Sequence, residues 1–346
     1  MTLVHRPLRL RLDGAALVAN WRRLAQESGP AACGAAVKAD AYGLGARDAA
    51  LRLSNAGCRD FFVSHWAEAE EIANWVGEGA ISVLHGVSAD DMDAAIGSRA
   101  RPVLSTPLQV ARWRDTGRPF DVMVDSGINR LGISPGDVAA GLLDGLRVET
   151  LMSHLACADE DVADNRTQLA AFAALRGRVD AKRMSLANSA GIFLGRDYAF
   201  DLTRPGLALY GGIPRHEAEG TIERVVRVEA QVLQRKRIGP GERVGYNGTF
   251  TAERACELAV INIGYADGYL RGFSNRGRAF WQGAELPVAG RVSMDLTTLR
   301  VDAAPDLAEG DWVEIDYDLP TASAGSGLSQ YELLTTLGQR FERIWS

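Results

Sequence analysis

The residue of this 346-residue chain best placed for covalent chemistry is the lysine in Val37-Lys38-Ala39-Asp40-Ala41-Tyr42-Gly43-Leu44-Gly45, directly after a short apolar run. A lysine at the end of a buried strand is partly desolvated, which lowers its pKa and frees its amine to attack a carbonyl. Gly43 and Gly45 let the following turn approach a ligand closely. The plainer alternative is a lysine that snorkels from a strand end into water. Other segments carry complementary groups. Arg130 sits in Asp125-Ser126-Gly127-Ile128-Asn129-Arg130-Leu131-Gly132, an arginine on a glycine-flanked loop. His154 stands between Ser153 and Leu155, ahead of Asp159 and Glu160. Asn188-Ser189-Ala190-Gly191 offers a hydroxyl and small residues at a helix start, which suits a phosphate, and Arg204-Pro205-Gly206-Leu207 sets amides beside a cation. Singly, His154 reads equally as a core histidine, Ser189 as a helix cap and Arg130 as a surface cation. Together, a Schiff-base lysine, phosphate cradles and two arginines suit a phosphorylated carbonyl ligand.

The elements must bring these segments to one place. From about Leu8 to Tyr210, apolar runs at 33–37, 61–64, 81–84, 102–104, 120–124, 148–153, 183–186 and 207–210 read as strands. Helical stretches at 48–55, 67–76, 90–96, 107–115, 135–143, 162–176 and 189–194 separate them, with start signals such as Thr106 before Pro107 and Ser134 before Pro135. Strand, helix, strand with short links means parallel pairing, and eight such strands close a (β/α)8 barrel. Barrels concentrate function at the C-terminal ends of their strands and often bind phosphate after the last two, where the segments above fall. After about Glu223 the texture changes. Strands are expected at 225–238, 243–246, 258–263, 278–281, 286–288, 292–300 and 312–315, with a turn at Gly239-Pro240-Gly241 and a helix only at 330–338. The 323–329 stretch reads as a loop, with no lysine to complete a P-loop. The expectation is an α/β protein: a TIM-like barrel over residues 1–222 and a β-rich domain over 223–346.

Composition narrows the class. With 47% hydrophobic and 24% charged residues, a large core can be buried. A net charge of −6 without a long basic run gives nucleic acid no footprint. Arg6, Arg9 and Arg11 interrupt residues 1–12 too often for a signal sequence, and no later apolar stretch is long enough to span a bilayer, so a cytoplasmic protein without a membrane partner is expected. Cys33, Cys58, Cys157 and Cys256 lie far apart and read as reduced, buried thiols. His65 and His85 have no carboxylate at a ligand-like spacing, so no metal site is expected, and His5 and His216 read as surface residues.

In this setting the pattern resembles the alanine racemase family, pyridoxal-phosphate (PLP) enzymes of fold type III, over nearly the whole chain. The matching stretches are 37–45, 125–132, 153–160, 188–189, 204–211, 244–246, 263–268 and 290–295, in the family's order and in both domains. Single-domain PLP barrels share the first motif but lack the β-domain, so Tyr246 and Met294 separate the two groups. The resemblance implies a racemase that interconverts L- and D-alanine and supplies D-alanine for peptidoglycan, as a homodimer with shared active sites. It implies that Lys38 holds the cofactor and acts as base toward D-alanine, while Tyr246 of the neighbouring subunit is the base toward L-alanine. Tyr42, Ser189 and the amides of Gly206 and Leu207 would hold the phosphate. Arg204 would face the pyridine nitrogen, with His154 between it and Tyr246. Arg130, beside the cofactor, and the Met294 amide of the neighbouring subunit would receive the substrate carboxylate, and Tyr265 would line the entry.

The chemistry agrees. Racemisation needs a proton removed on one face and returned on the other, hence two bases. Lysine and tyrosine are too basic in water, with pKa values of about 10, so burial and a Tyr246–His154–Arg204 chain would have to tune them. An arginine donates to the pyridine nitrogen without protonating it, which weakens the electron sink and disfavours transamination. Two departures stand out. Met123 takes the place where many members carry a carbamylated lysine, so Arg130 would be held by an anion such as chloride, or less firmly. Gln339, with Phe341 nearby, falls where many members place an entrance tyrosine. Competing readings are a broader racemase for serine or other small amino acids, a PLP carrier without turnover, and an unrelated Schiff-base aldolase barrel.

Overall fold

The computed structural model describes residues 5–346; the first four residues of the 1–12 stretch discussed above lie outside the described residues. The chain forms two units, one of Ala16–Glu223 and the other of Arg224–Ser346 together with the segment up to Ala15.

In the first unit, seven parallel strands run in chain order: Ala35–Ala36, Asp60–Val63, Ala80–Val83, Arg101–Leu104, Asp121–Met123, Val148–Met152 and Ala181–Ser185. The ring closes differently from the expectation. Residues 207–210, expected as the eighth strand, form a buried 3-10 turn, Leu207–Tyr210. The eighth strand is Leu202–Thr203, which pairs in parallel with Ala32–Cys33. On its other side Asp201 N donates to Met184 O at 3.0 Å and Arg204 N to Ala187 O at 2.8 Å. Pro205 has no N–H to continue a ladder, and the amides of Gly206 and Ala208 turn instead onto the Ser189 hydroxyl at 2.9 and 3.2 Å. An apolar run shows burial; it does not show whether the buried backbone is strand or helix.

Helices follow the strands with the anticipated caps. Thr106 accepts from Gln109 N at 3.1 Å ahead of Pro107–Trp113, and Ser134 from Asp137 N at 3.0 Å ahead of Pro135–Ala139. The helix Gly14–Glu27, not anticipated, precedes the barrel strands. Near the N-terminal ends of the strands lies a polar network: Arg183 grips Asp60 with two bonds of 2.6 and 3.1 Å, and fully buried Asp121 takes Ser82 Oγ at 2.6 Å and Arg101 Nε at 2.8 Å. Polar contacts there serve the scaffold and leave the opposite rim for chemistry.

The second unit is built on one long strand, Val226–Ile238, paired antiparallel with Leu8–Leu12, Trp312–Ile315 and Cys256–Ile261. Leu8–Leu12 also pairs in parallel with Glu342–Trp345. The amino-terminal segment therefore joins this unit, where an undivided barrel domain from residue 1 was expected. Its period-two pattern explains why: Leu8, Leu10 and Leu12 are buried, while Arg9 stacks 3.8 Å over Trp312 and Arg11 pairs with Glu229 at 2.7 Å. The 323–329 stretch is also not all loop. Leu319–Ser326 is a helix, capped by Asp318 accepting from Thr321 N at 3.2 Å and ended by Gly327 in the left-handed conformation. Tyr246 lies not on a strand but on the 3-10 turn Tyr246–Gly248 after the short strand Arg243–Val244. Cys33, Cys58 and Cys256 are buried free thiols; Cys157 is only half-buried.

No helix among the described residues is long and apolar enough to cross a membrane. His5, His65, His85 and His216 are exposed.

Candidate active site

The first barrel strand delivers Lys38 to its C-terminal end and then bends sharply. Ala39, Asp40, Ala41 and Tyr42 take φ of 53, 53, 52 and 58°, a left-handed run made without glycine. The close turn therefore does not rest on Gly43 and Gly45 alone. Tyr42 is buried against Tyr210, ring centroids 4.9 Å apart, and the Tyr210 hydroxyl donates to Ala36 O at 2.9 Å.

Beside that turn stand the last two strand ends. Asn188 caps the short helix Ser189–Phe193 by accepting from Gly191 N at 2.8 Å. The Ser189 hydroxyl collects the Gly206 and Ala208 amides, so its own hydrogen is left to donate outward. Gly206 is required by space: a Cβ there would lie 2.1 Å from the Tyr42 hydroxyl oxygen. Tyr42, Ser189, Gly206 and Leu207 thus share one cradle, drawn from the ends of the first, seventh and eighth strands.

Arg204 is buried beside it. Its guanidinium donates to Ser185 Oγ at 2.5 Å, Ser153 O at 2.6 Å and Leu186 O at 3.5 Å, and stands 6.0 Å over the Phe62 ring. No carboxylate among the described residues pairs with it. Burial lowers its pKa to about 10, which still leaves it charged at neutral pH. The Lys38 amine is lowered first by burial, then by Arg130 and Arg204, against an opposing pull from Glu68. Burial and the same three cations press His154 down to about 3, so its imidazole is neutral. Lys38, Arg130, His154 and Arg204 therefore share one electrostatic environment: three cationic groups and a neutral ring. Such a site favours an anion and a free amine together.

Arg130 is exposed on its loop. Asp125 Oδ1 accepts from Gly127 N at 2.8 Å and Asn129 N at 3.1 Å, and Gly132 lies so close that a Cβ would meet Asp125 N at 2.6 Å. Met123, half-buried, contributes backbone only, its carbonyl accepting from Ile133 N at 2.8 Å. The residue that ties this loop inward is one the sequence did not reveal. Gln168, buried on the helix Ala163–Ala173, donates to Ser126 Oγ at 3.3 Å and His154 O at 3.1 Å and accepts from Ala156 N at 2.8 Å. A glutamine within a helix carries no signal until its neighbours are known.

Two family models cover these elements in turn: the alanine racemase N-terminal domain matches residues 12–214 and the alanine racemase C-terminal domain matches residues 225–345. The chain belongs to the alanine racemase family. It is 42% identical to an alanine racemase of Acidiphilium cryptum, over 97% of this chain and 98% of that protein. It is 41% identical to one of Methylobacterium nodulans, over 97% and 95%. The structure superposes on that of the Bartonella henselae alanine racemase with covalently bound pyridoxal phosphate at a TM-score of 0.91 and 36% identity, covering 99% of this chain and 100% of that one.

The other alanine racemase motifs lie in the second unit and converge there. Tyr265 N donates to Ser293 O and Ala266 N to Met294 O, both at 3.0 Å, so the turns bearing Tyr265 and Met294 are joined through backbone. Arg340, also unanticipated, clamps them by pairing with buried Asp267 at 2.6 Å and Asp295 at 2.7 Å. Arg271 stacks 5.2 Å over the Tyr265 ring. Tyr246 and Met294 are 65% and 53% exposed, unusual for an aromatic and a methionine without a surface to cover. Gln339 is exposed; Phe341 is buried at 1% and belongs to the core.

Proposed function

We propose that the chain is a pyridoxal-phosphate-dependent alanine racemase, interconverting L- and D-alanine by two bases on opposite faces of the substrate. The observation that carries the reading is the pairing, at one barrel rim, of a depressed amine, Lys38, with a buried guanidinium, Arg204, that has no carboxylate partner among the described residues. The residues fit the cofactor: Gly206 leaves a cradle that a Cβ would fill, Ser189 and Tyr42 present hydroxyls to it, and the surrounding cations call for an anionic ligand. Bound there, pyridoxal phosphate supplies a conjugated ring that acidifies the substrate's α-hydrogen.

Lys38, its amine lowered by burial, would hold the cofactor and move a proton at one face of the substrate. Tyr42, Ser189 and the Leu207 amide would hold the phosphate, the Gly206 amide being engaged with the Ser189 hydroxyl in this structure. Arg204 would donate to the cofactor's pyridine nitrogen without giving up a proton. His154, neutral, accepts or donates a hydrogen bond without adding charge. Arg130 and the Met294 amide of a second copy of the chain would orient the carboxylate, and Tyr265 would narrow the entry. Tyr246, from a second copy of the chain, moves the proton at the opposite face, which makes the homodimer the working unit. The enzyme works in the cytoplasm and furnishes D-alanine for peptidoglycan. Borohydride reduction of the protein supplied with pyridoxal phosphate should fix the cofactor on Lys38, located by peptide mass spectrometry, and alanine should racemise faster than serine. Colourless protein, or a label on another residue, would remove the proposal.

A further inference from the structure

The left-handed turn after Lys38 is expensive. Each of Ala39, Asp40, Ala41 and Tyr42 carries a Cβ in a conformation that crowds it against the following carbonyl oxygen. Backbone bonds offset part of this: Ala41 N donates to Val37 O and Gly45 N to Asp40 O, both at 2.9 Å. Asp40 Oδ1 takes Ala46 N at 2.6 Å. The first amide of the turn, that of Ala39, has a different partner, donating to Glu68 Oε1 at 2.8 Å. The second carboxylate oxygen, Glu68 Oε2, accepts from Ser64 N at 2.6 Å, just past the second barrel strand. One side chain therefore ties the residue after Lys38 to the neighbouring strand end.

Glu68 lies in the first turn of the helix Trp66–Ile72, with its side chain only 14% exposed. Its charge also acts on the amine. Arg130 and Arg204 act on Lys38 in one direction and Glu68 in the other. Of the other ionisable groups near the turn, His154 is neutral, Asp40 is engaged with Ala46, Tyr42 is buried against Tyr210, and exposed His65 has its Nε2 3.7 Å from Glu68 Oε1.

We propose that Glu68 is a positioning residue for this reaction: it pins the left-handed turn that presents Lys38 and supplies the negative charge against which that amine is poised. This deepens the reading of Lys38 as the cofactor-holding amine and rests on it. A glutamine has the same shape but fails both tasks, since its NH2 group would meet one of the two amide donors and its charge is gone.

The test compares full-length wild type, Glu68→Gln and Glu68→Asp. The pH dependence of Lys38 acetylation by acetic anhydride, read by peptide mass spectrometry, reports the amine itself; absorbance titration with pyridoxal phosphate reports cofactor affinity. Glu68→Gln should lower the labelling midpoint of Lys38 by about one pH unit. It should also weaken pyridoxal phosphate about tenfold or more, the loss of a charge-assisted hydrogen bond. Glu68→Asp keeps the charge and should keep the midpoint, while hydrogen exchange across residues 38–45 rises. A Glu68→Gln protein with the wild-type midpoint overturns the proposal. If that variant does not fold, Glu68→Asp decides: faster exchange across residues 38–45 supports the pin, and unchanged exchange removes it. Wild type that does not take up pyridoxal phosphate at Lys38 would defeat the functional reading instead, a result the labelling midpoints of the uncombined protein do not depend on.

Discussion

Replacing Gly206 with alanine adds one methyl group where the structure has no room for it. Its Cβ would sit 2.1 Å from the Tyr42 hydroxyl oxygen, 2.8 Å from Cζ and 3.3 Å from Cε2. The Gly206 φ is −132°, so the objection is spatial and not one of left-handed strain. Relief requires a shift of more than about 1 Å, since packed heavy atoms settle near 3.5 Å. Tyr42 cannot give freely, being buried with its ring 4.9 Å from Tyr210. Overpacking of this kind costs about 1–3 kcal/mol. At about 2–4 °C per kcal/mol for a unit of this size, Tm should fall by roughly 2–12 °C. The same shift moves the Tyr42 hydroxyl and the backbone leading to the Leu207 amide, both proposed to hold the phosphate. Each hydrogen bond to a charged group contributes about 1.5–3 kcal/mol, so cofactor affinity should fall at least about tenfold. Thermal melts and absorbance titration with pyridoxal phosphate read the two effects. Adding Tyr42→Phe removes the oxygen nearest the new methyl but leaves the Cζ contact, so the double variant should regain part of the lost Tm and none of the affinity. Wild-type melting and affinity in Gly206→Ala would refute the cradle as described.

Two further outcomes follow from the same arrangement. If Tyr246 serves the site of a second copy, Lys38→Ala and Tyr246→Phe proteins should each be inactive, yet unfolding and refolding them together should restore roughly a quarter of wild-type activity, because half the dimers are mixed and each of those has one intact site; no recovery would place both bases on one chain. His154 is held at about 3, against 6.5 for an unperturbed imidazole, by burial first and then by Arg204, Arg130 and Lys38. Between those values the unfolded chain takes up a proton that the folded one refuses, so this contribution to stability is complete above about pH 6.5 and is lost as pH falls toward 3. The acid limb of a Tm-against-pH curve should flatten in His154→Gln, and an unaltered slope would show that His154 titrates normally.

What the sequence settled by itself was local and periodic. Short apolar runs spaced by amphipathic stretches are a direct record of which residues leave water, and they located seven of the barrel strands and the rim where Lys38 stands. Thr106-Pro107 and Ser134-Pro135 marked helix starts because capping is decided within one turn of chain. Burial alone misled at Leu207–Tyr210, since a run with no polar face buries equally well as strand or as 3-10 turn; the Ser189 hydroxyl, from another strand end, made the choice by taking the Gly206 and Ala208 amides. In the same way Leu8–Leu12 alternates like any strand, and only its partner, Val226–Ile238, assigns it to the second unit.

The site divides along the same line. Lys38, Arg204 and the Asn188-Ser189 pair were legible because their chemistry depends on residue type at a strand end. Glu68, Gln168 and Arg340 were not, because each acts by joining segments far apart in the chain. Desolvation at a strand end already implied a depressed Lys38; the neutral His154, and the charges of Arg130, Arg204 and Glu68 around Lys38, were not legible, because a pKa depends on which charges and how much water lie within a few ångströms, and folding sets both. Residue order chose the reactive groups; the closing of the barrel chose their neighbours, and with them the charge states in which they work.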